Sequence, residues 1–514
     1  MSKVAVVTIF VALVLKWGWK LLNWVWLEPK KLEKWLKDEG YKGNSYRFPL
    51  GDLIELASMI KEGKTKHISM THDITSYALP FDHHIISKYG KKSFAWFGPK
   101  PRIYIRDPEL IEEILLRPND FKKLHPDPFL DSIVRGLIAI EGHKWIKHRK
   151  IINPAFNIQN LKVMFLAISS SCIDMIKEWE ILTAVTGSVE VDVWPYISSL
   201  AGDVISRAAF GSCYEEGKKI FGLQKEQVDL ALQMLFILNV PGRRFIPTRV
   251  NKKFNQNVKE IRSTLMAIIN KRKKAIETGE GKCDDLLGIL LESNKKEIEE
   301  HGVGMSMEDV IEECKLFYSA GSETTSNLIV WTMVCLSVHQ EWQIKARDEI
   351  LQVFGNGKVD FEGLKNLKII TMILNEVLRL YTPISMTIRV THMKETKLGN
   401  MMIPPGVLLA LAVMHVHHDP EIWGDDAHEF KPERFSEGIL NATKNKGSSA
   451  FFPFSGGPRV CIGQNFAMTE AKITMAMILQ RFSFELSPSY KHSPFVVIIM
   501  PPQFGAHLIL RNIA

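Results

Sequence analysis

The tightest constraint on this chain is a ten-residue run near its C-terminus, Phe454-Ser455-Gly456-Gly457-Pro458-Arg459-Val460-Cys461-Ile462-Gly463. One cysteine stands in a glycine-rich loop, with an arginine two residues before it and a glycine two after. Glycine lets backbone approach a flat macrocycle and leaves amide groups to point at the sulfur. Arg459 offers a rigid fork of donors for an anionic propionate. Amide hydrogen bonds to the sulfur would tune its electron donation. Together these residues suit a buried cysteine thiolate bound to haem iron. The other cysteines, at 172, 213, 283, 314 and 335, form no CxxC pair and no zinc-like spacing. They read as small buried apolar residues, kept reduced in a cytosolic domain.

The run fits Phe-x-x-Gly-x-Arg-x-Cys-x-Gly at every fixed position, and other motifs precede it in order. They are Trp145 with Arg149, the segment Ala320-Gly321-Ser322-Glu323-Thr324-Thr325, Glu376-Val377-Leu378-Arg379, and Pro432-Glu433-Arg434-Phe435. With these the chain resembles the cytochrome P450 family over nearly its whole length. The resemblance implies a mainly α fold with small β-sheets, as one large catalytic domain (28–514) behind an N-terminal single transmembrane anchor (1–27). The segments Glu28-Pro29-Lys30-Lys31-Leu32-Glu33-Lys34, Gly43-Asn44-Ser45-Tyr46-Arg47 and Pro501-Pro502-Gln503-Phe504-Gly505 are similar to the plant seventy-two clan. That clan holds secologanin-synthase-like and triterpenoid-oxidising enzymes. Two positions depart from its pattern: Gly456 replaces the usual tryptophan, and Thr382 the usual proline of Tyr-Pro-Pro.

Val4 to Leu27 is almost continuously apolar, interrupted by Lys16 and Lys20. At ~1.5 Å per residue it is long enough to cross a hydrocarbon core of ~30 Å. Its tryptophans suit an interfacial belt, and its lysines would snorkel. Positive charge follows the apolar stretch (Lys30, Lys31, Lys34, Lys37), which places the bulk of the chain on the cytosolic side. The resemblance makes the membrane that of the endoplasmic reticulum. The sequon Asn441-Ala442-Thr443 would then stay unmodified. A net charge of +8 suits an acidic partner or membrane surface. Lys144, Lys147, His148, Arg149 and Lys150 cluster around Trp145, where the resemblance implies docking of NADPH-cytochrome P450 reductase. Nothing in the pattern points to nucleic acid.

Ser306 and Asp309 form a capping box that opens a helix running to about Ser337. Its small residues, Ser319 to Ser322, are placed to open a gap beside the iron. Thr324 and Glu323 form an alcohol-acid pair suited to proton delivery; the alternative is a helix-packing patch with Thr324 bonded to its own backbone. Glu376 and Arg379 share a helix face, and the resemblance adds Arg434 to make a structural triad. Trp145, Arg149, Arg389 and Arg459 are the expected propionate contacts, with Phe454 and Gly463 framing haem b and Cys461 its metal ligand. His415, His417 and His418 precede a helix start and are not expected to bind metal.

The resemblance implies an NADPH- and O2-dependent monooxygenase oxidising a hydrophobic small molecule, a plant terpenoid. Triterpenoids come first, then iridoids, then hormone inactivation. The substrate pocket implied by the family draws on 130–137, 228–247, and Leu137, Phe317, Ala320, Met386, Ile388 and Phe504. Two other classes compete: a haem-thiolate isomerase or dehydratase that uses no O2, and a non-catalytic haem binder. Retention of Glu323 and Thr324 favours the monooxygenase.

Overall fold

The structure is a computed structural model that describes residues 3–124, 135–211, 214–234, 248–279, 285–391, 394–447 and 449–513. Cys213, Cys283, 130–134 and 235–247 therefore lie outside the described residues. The chain is mainly helical and divides into two compact units. The first comprises Met1–Lys66, Thr75–Leu124 and Met386–Val416; the second comprises His67–Ile74, His125–Ser385 and His417–Ala514.

The first unit begins with helix α1 (Lys3–Leu22), a π-turn (Asn23–Leu27) and helix α2 (Glu28–Asp38), joined without a break in helical dihedrals. α1 exposes Phe10, Leu15, Trp17 and Trp19, and is part of a helical stretch apolar and long enough to cross a membrane. Behind it lies a six-stranded sheet ordered Lys42–Gly43, Ser93–Phe97, Lys100–Ile105, Leu408–Leu411, Thr387–Thr391 and Phe121–Lys123. Ala95, Tyr104 and Ala410 of the strands pack with Phe81 and Ile85 of the helix Pro80–Tyr89 in one core, against which Met386 and Ile388 pack, partly buried. Arg389 pairs in register with Leu409, and its Nη1 donates to the Ile388 carbonyl at 3.1 Å.

The second unit carries helices α3 (Gly142–Ile152), α4 (Ile158–Thr183), α5 (Val193–Phe210), α6 (Met307–Val338), α7 (Lys368–Leu380) and α8 (Gln464–Arg481). A three-stranded antiparallel sheet (Phe482–Leu486, His507–Asn512, Ser188–Asp192) closes one part of it. The expected capping box opens α6: Asp309 N donates to Ser306 Oγ at 3.2 Å, and Ser306 N to Asp309 Oδ2 at 3.1 Å. α5 packs along α6 through Gly321. A Cβ added there would lie 2.4 Å from Ile205 Cδ1, so the hollow left by the missing side chain is taken up by Ile205 of α5. This is helix packing, the alternative weighed for the small-residue segment, at least at this position. Gly321→Ala is expected to lose roughly 1–2 kcal/mol net, because overpacking outweighs alanine's helix preference. Adding Ile205→Val should recover most of it, as read by urea unfolding midpoints.

Glu470 on α8 is fully buried, and neither carboxyl oxygen has a hydrogen-bond partner. Desolvation raises its pKa well above the ordinary value of 4.5, so it folds as the neutral acid. The unfolded chain releases that proton near 4.5; the folded chain holds it to much higher pH. Stability therefore falls as pH rises above about 4.5 toward the raised folded value. Glu470→Gln should flatten that slope in urea titrations run at several pH values.

Candidate active site

The cysteine loop is folded on its own backbone. Ser455 N donates to Phe452 O at 3.0 Å, Val460 N to Gly457 O at 3.1 Å, and Cys461 N to Phe454 O at 3.0 Å. The turn this demands puts Gly457 at φ 62° and Ser455 at φ 63°, the one non-glycine residue with positive φ among the described residues. Such a conformation costs on the order of 1 kcal/mol or more and persists where its surroundings impose it. The loop delivers Cys461 just before α8, with its sulfur 4.0 Å from where a Gly463 side chain would begin. Cys461 is exposed, whereas Cys172, Cys314 and Cys335 are buried. Burial pushes all three of those thiols up, Cys172 to about 12. Among the described cysteines, only Cys461 offers an accessible sulfur.

Three of the expected propionate residues gather around this loop. Arg149 of α3 donates from Nη1 to the Val460 carbonyl at 2.9 Å. Desolvation lowers its pKa, and attraction to Cys461 opposes that shift. The Arg459 guanidinium stands 4.7 Å from the Trp145 ring centre. It donates to Ile140 O at 3.0 Å and pairs with Glu141, while its buried Nε has no partner. The Glu141 partnership was not foreseen, although an acid directly ahead of a basic helix is a visible cue. An accessible sulfur, two guanidiniums beside it, one with an unused buried donor, and a bare glycine next to the sulfur fit a haem with anionic propionates.

α6 contributes a second surface. Although most of this helix is buried, Ala320 and Glu323 are exposed in mid-helix and Thr324 is half-buried. Thr324 Oγ1 donates to the Ala320 carbonyl at 2.7 Å, the backbone bond weighed as the alternative to proton delivery. Glu323 reaches solvent, yet surrounding protein raises its carboxyl pKa by desolvation, with Lys225 opposing. Phe317 is buried against Phe156, ring centres 6.0 Å apart, and Phe156 also reaches within 3.9 Å of the Gly463 Cβ position. Phe156 thus links the cysteine loop to α6. Leu137 is held by its backbone, whose N–H donates to Glu313 Oε2 at 2.9 Å. Phe504 lies edge-on to His67, ring centres 6.4 Å apart.

The profile of the family described as Cytochrome P450 matches residues 80–505. Cytochrome P450 CYP72A219 of Panax ginseng is 52% identical over 98% of this chain and 97% of its own length. The 7-deoxyloganic acid hydroxylase of Catharanthus roseus is 50% identical over 98% of each. Cytochrome P450 72A15 of Arabidopsis thaliana is 50% identical over 99% of this chain and 98% of its own length. The chain belongs to the cytochrome P450 family. It is a monooxygenase enzyme, and membership implies haem iron.

In this P450 the Glu376–Arg379 pair is fully buried and bidentate, with both N–O distances 2.8 Å. Arg379 also donates to the carbonyls of His417 (2.8 Å), Ala427 (2.6 Å) and Glu429 (3.2 Å). Arg434 Nε lies 3.4 Å from Glu376 Oε1, ion-pair range without an aligned hydrogen bond. Its stronger partners are Asp426 and the Trp423 carbonyl. The histidines have structural bonds: His417 Nε2 accepts from Phe452 N at 2.9 Å, and His418 Nε2 donates to Leu380 O at 2.9 Å. His415 stacks on His83. One connection escaped sequence reading. His148, between Trp145 and Arg149 on α3, is buried with Nδ1 2.6 Å from the buried Glu313 carboxylate. Glu313 thereby ties α3 to α6 and to the Leu137 backbone. Gly136 beside it has φ 66°, and a Cβ there would meet Glu313 Oε2 at 2.7 Å.

Proposed function

We propose that this P450 is an NADPH- and O2-dependent monooxygenase that hydroxylates a hydrophobic terpenoid. The observation that carries the reading is the exposed Cys461 sulfur on a loop flanked by Arg149 and Arg459. Haem b, when bound, would supply the oxygen activation. Cys461 would serve as its thiolate ligand, and Trp145, Arg149 and Arg459 would hold its propionates. Arg459 would share its fork between Glu141 and that carboxylate. Arg389 is assigned the same role by family resemblance.

Thr324 would turn its hydroxyl off the Ala320 carbonyl to present a proton, and Glu323, its carboxyl raised by desolvation, would resupply it. The basic stretch Lys144–Lys150 on α3 supports docking of NADPH-cytochrome P450 reductase, which would deliver electrons from NADPH. The apolar α1 and the lysines after it support a single span with residues 28–514 on the cytosolic side of the endoplasmic reticulum membrane.

A relative named 7-deoxyloganic acid hydroxylase, 50% identical over nearly the whole chain, supports a terpenoid substrate. Iridoid acids are therefore the first substrates to try, and triterpenoids the second. Full-length chain co-expressed with a plant reductase in microsomes should give a thiolate-type carbon monoxide difference spectrum. It should also give NADPH-dependent hydroxylated product from that panel. Product formed without NADPH would instead support the isomerase or dehydratase class.

A further inference from the structure

Pro29 should break or hinge the helix that leaves the membrane, since a proline lacks the N–H that would bond the carbonyl four residues back and its ring crowds that carbonyl. Here that carbonyl belongs to Val25, yet the helix runs unbroken from Lys3 to Asp38. The five-residue π-turn Asn23–Leu27 widens the backbone just ahead of the proline, and Glu28 N–H reaches back to Asn23 O. Val25 O does not go unsatisfied, because Tyr46 OH donates to it at 2.9 Å. Tyr46 is itself fixed in the core of the same unit. It is 6% exposed and packs on the fully buried Trp96, ring centres 4.9 Å apart. Trp96 in turn holds the following loop through Asn44 O (3.0 Å) and Asp52 Oδ2 (2.8 Å).

The same loop presents Phe48, 60% exposed, edge-on to Trp26 with ring centres 6.1 Å apart. Between them runs an apolar groove of about 460 Å³ lined by Gly18, Leu21, Leu22, Val25, Trp26 and Phe48. Five of those six residues lie on the apolar N-terminal helix. From Val4 to Leu27 this segment measures about 36 Å at ~1.5 Å per residue, against a hydrocarbon core of ~30 Å. Its last turn, with Trp26, therefore falls at the interface, and Phe48 lies at the same depth.

We propose that the anchor is a rigid strut clamped at Val25 by Tyr46, and that the Phe48 loop is a second membrane contact whose groove takes a phospholipid acyl chain. The proposal rests on the single-span reading of α1. It commits to lipid because the groove is continuous with the membrane-facing surface of the span.

The test places a photo-reactive benzoylphenylalanine at position 48, 26 or 37 of the full-length chain in phosphatidylcholine nanodiscs, with lipid adducts read by mass spectrometry. Lys37 lies on α2 about 15 Å beyond Leu27 at ~1.5 Å per residue and serves as the water-side control. Adduct at 48 is expected at a yield similar to 26 and at least about tenfold above 37, as for an apolar side chain seated in the interface. Tyr46→Phe should lower the yield at 48 several-fold while leaving that at 26 unchanged. Yield at 48 no greater than at 37, with 26 strongly labelled, overturns the second contact. Unchanged labelling at 48 in Tyr46→Phe overturns the clamp. Absence of label at 26 overturns the span itself, a separate failure visible also as loss of nanodisc association.

Discussion

Cys461→Ser is expected to leave the chain folded and to abolish both the thiolate-type carbon monoxide spectrum and NADPH-dependent turnover. The replacement removes no core side chain, so helix content should be kept, while the stability that bound haem lends the fold falls with its ligand. The loss is chemical. A serine hydroxyl cannot donate the electron density that a thiolate gives to iron. Far-UV circular dichroism checks the fold, and the difference spectrum checks the ligand. Persistence of a thiolate-type band would mean that another cysteine binds the iron. Cys172, Cys314 and Cys335 are poor substitutes, since burial holds each as a thiol.

Arg379→Ala should be the most damaging single change to the fold. It leaves a fully buried Glu376 carboxylate with only the Lys431 N–H at 2.9 Å and Arg434 at 3.4 Å, and removes the donors to three backbone carbonyls. Breaking one partner of a buried pair costs about 3–5 kcal/mol. That is a large fraction of the ~5–15 kcal/mol that holds a typical protein folded. The expected result is a chain recovered mainly as aggregate, with little or no haem incorporated. Arg379→Lys keeps the charge but not the fork. It should fold with a lower thermal midpoint and retain the spectrum, which separates a structural role from a catalytic one. Full thermal stability in Arg379→Ala would show that Arg434 alone can compensate Glu376.

The parts of the site legible in the sequence are those set within a few residues. The cysteine loop is one, because its turn and its glycines are local. The α6 capping box is another, because Ser306 and Asp309 satisfy each other three residues apart. The Glu376–Arg379 pair is a third, by helix periodicity. What the sequence could not show depends on partners far along the chain. Arg459 is held by Glu141, more than 300 residues away, and the acid ahead of the basic helix was the only cue to it. Gly321 read as room for a ligand until Ile205, on a different helix, proved to sit there. Pro29 taken alone should break its helix, and the Tyr46 hydroxyl that accommodates it lies beyond the reach of any helical pattern. Substrate residues were hardest of all, since Met386 and Phe317 are apolar in the manner of any core residue and pattern alone does not tell a pocket wall from packing.

His417 has a consequence beyond its own burial. Its carbonyl accepts from Arg379, its Nε2 accepts from Phe452 N, and the Phe452 carbonyl accepts from Ser455 N at the turn that presents the sulfur. The brace of the interior and the seat of the iron ligand are thus neighbouring links of one chain. Heat that loosens the first should disturb the second in the same event. The protein's colour then becomes its own thermometer, with Soret absorbance and helix content melting together.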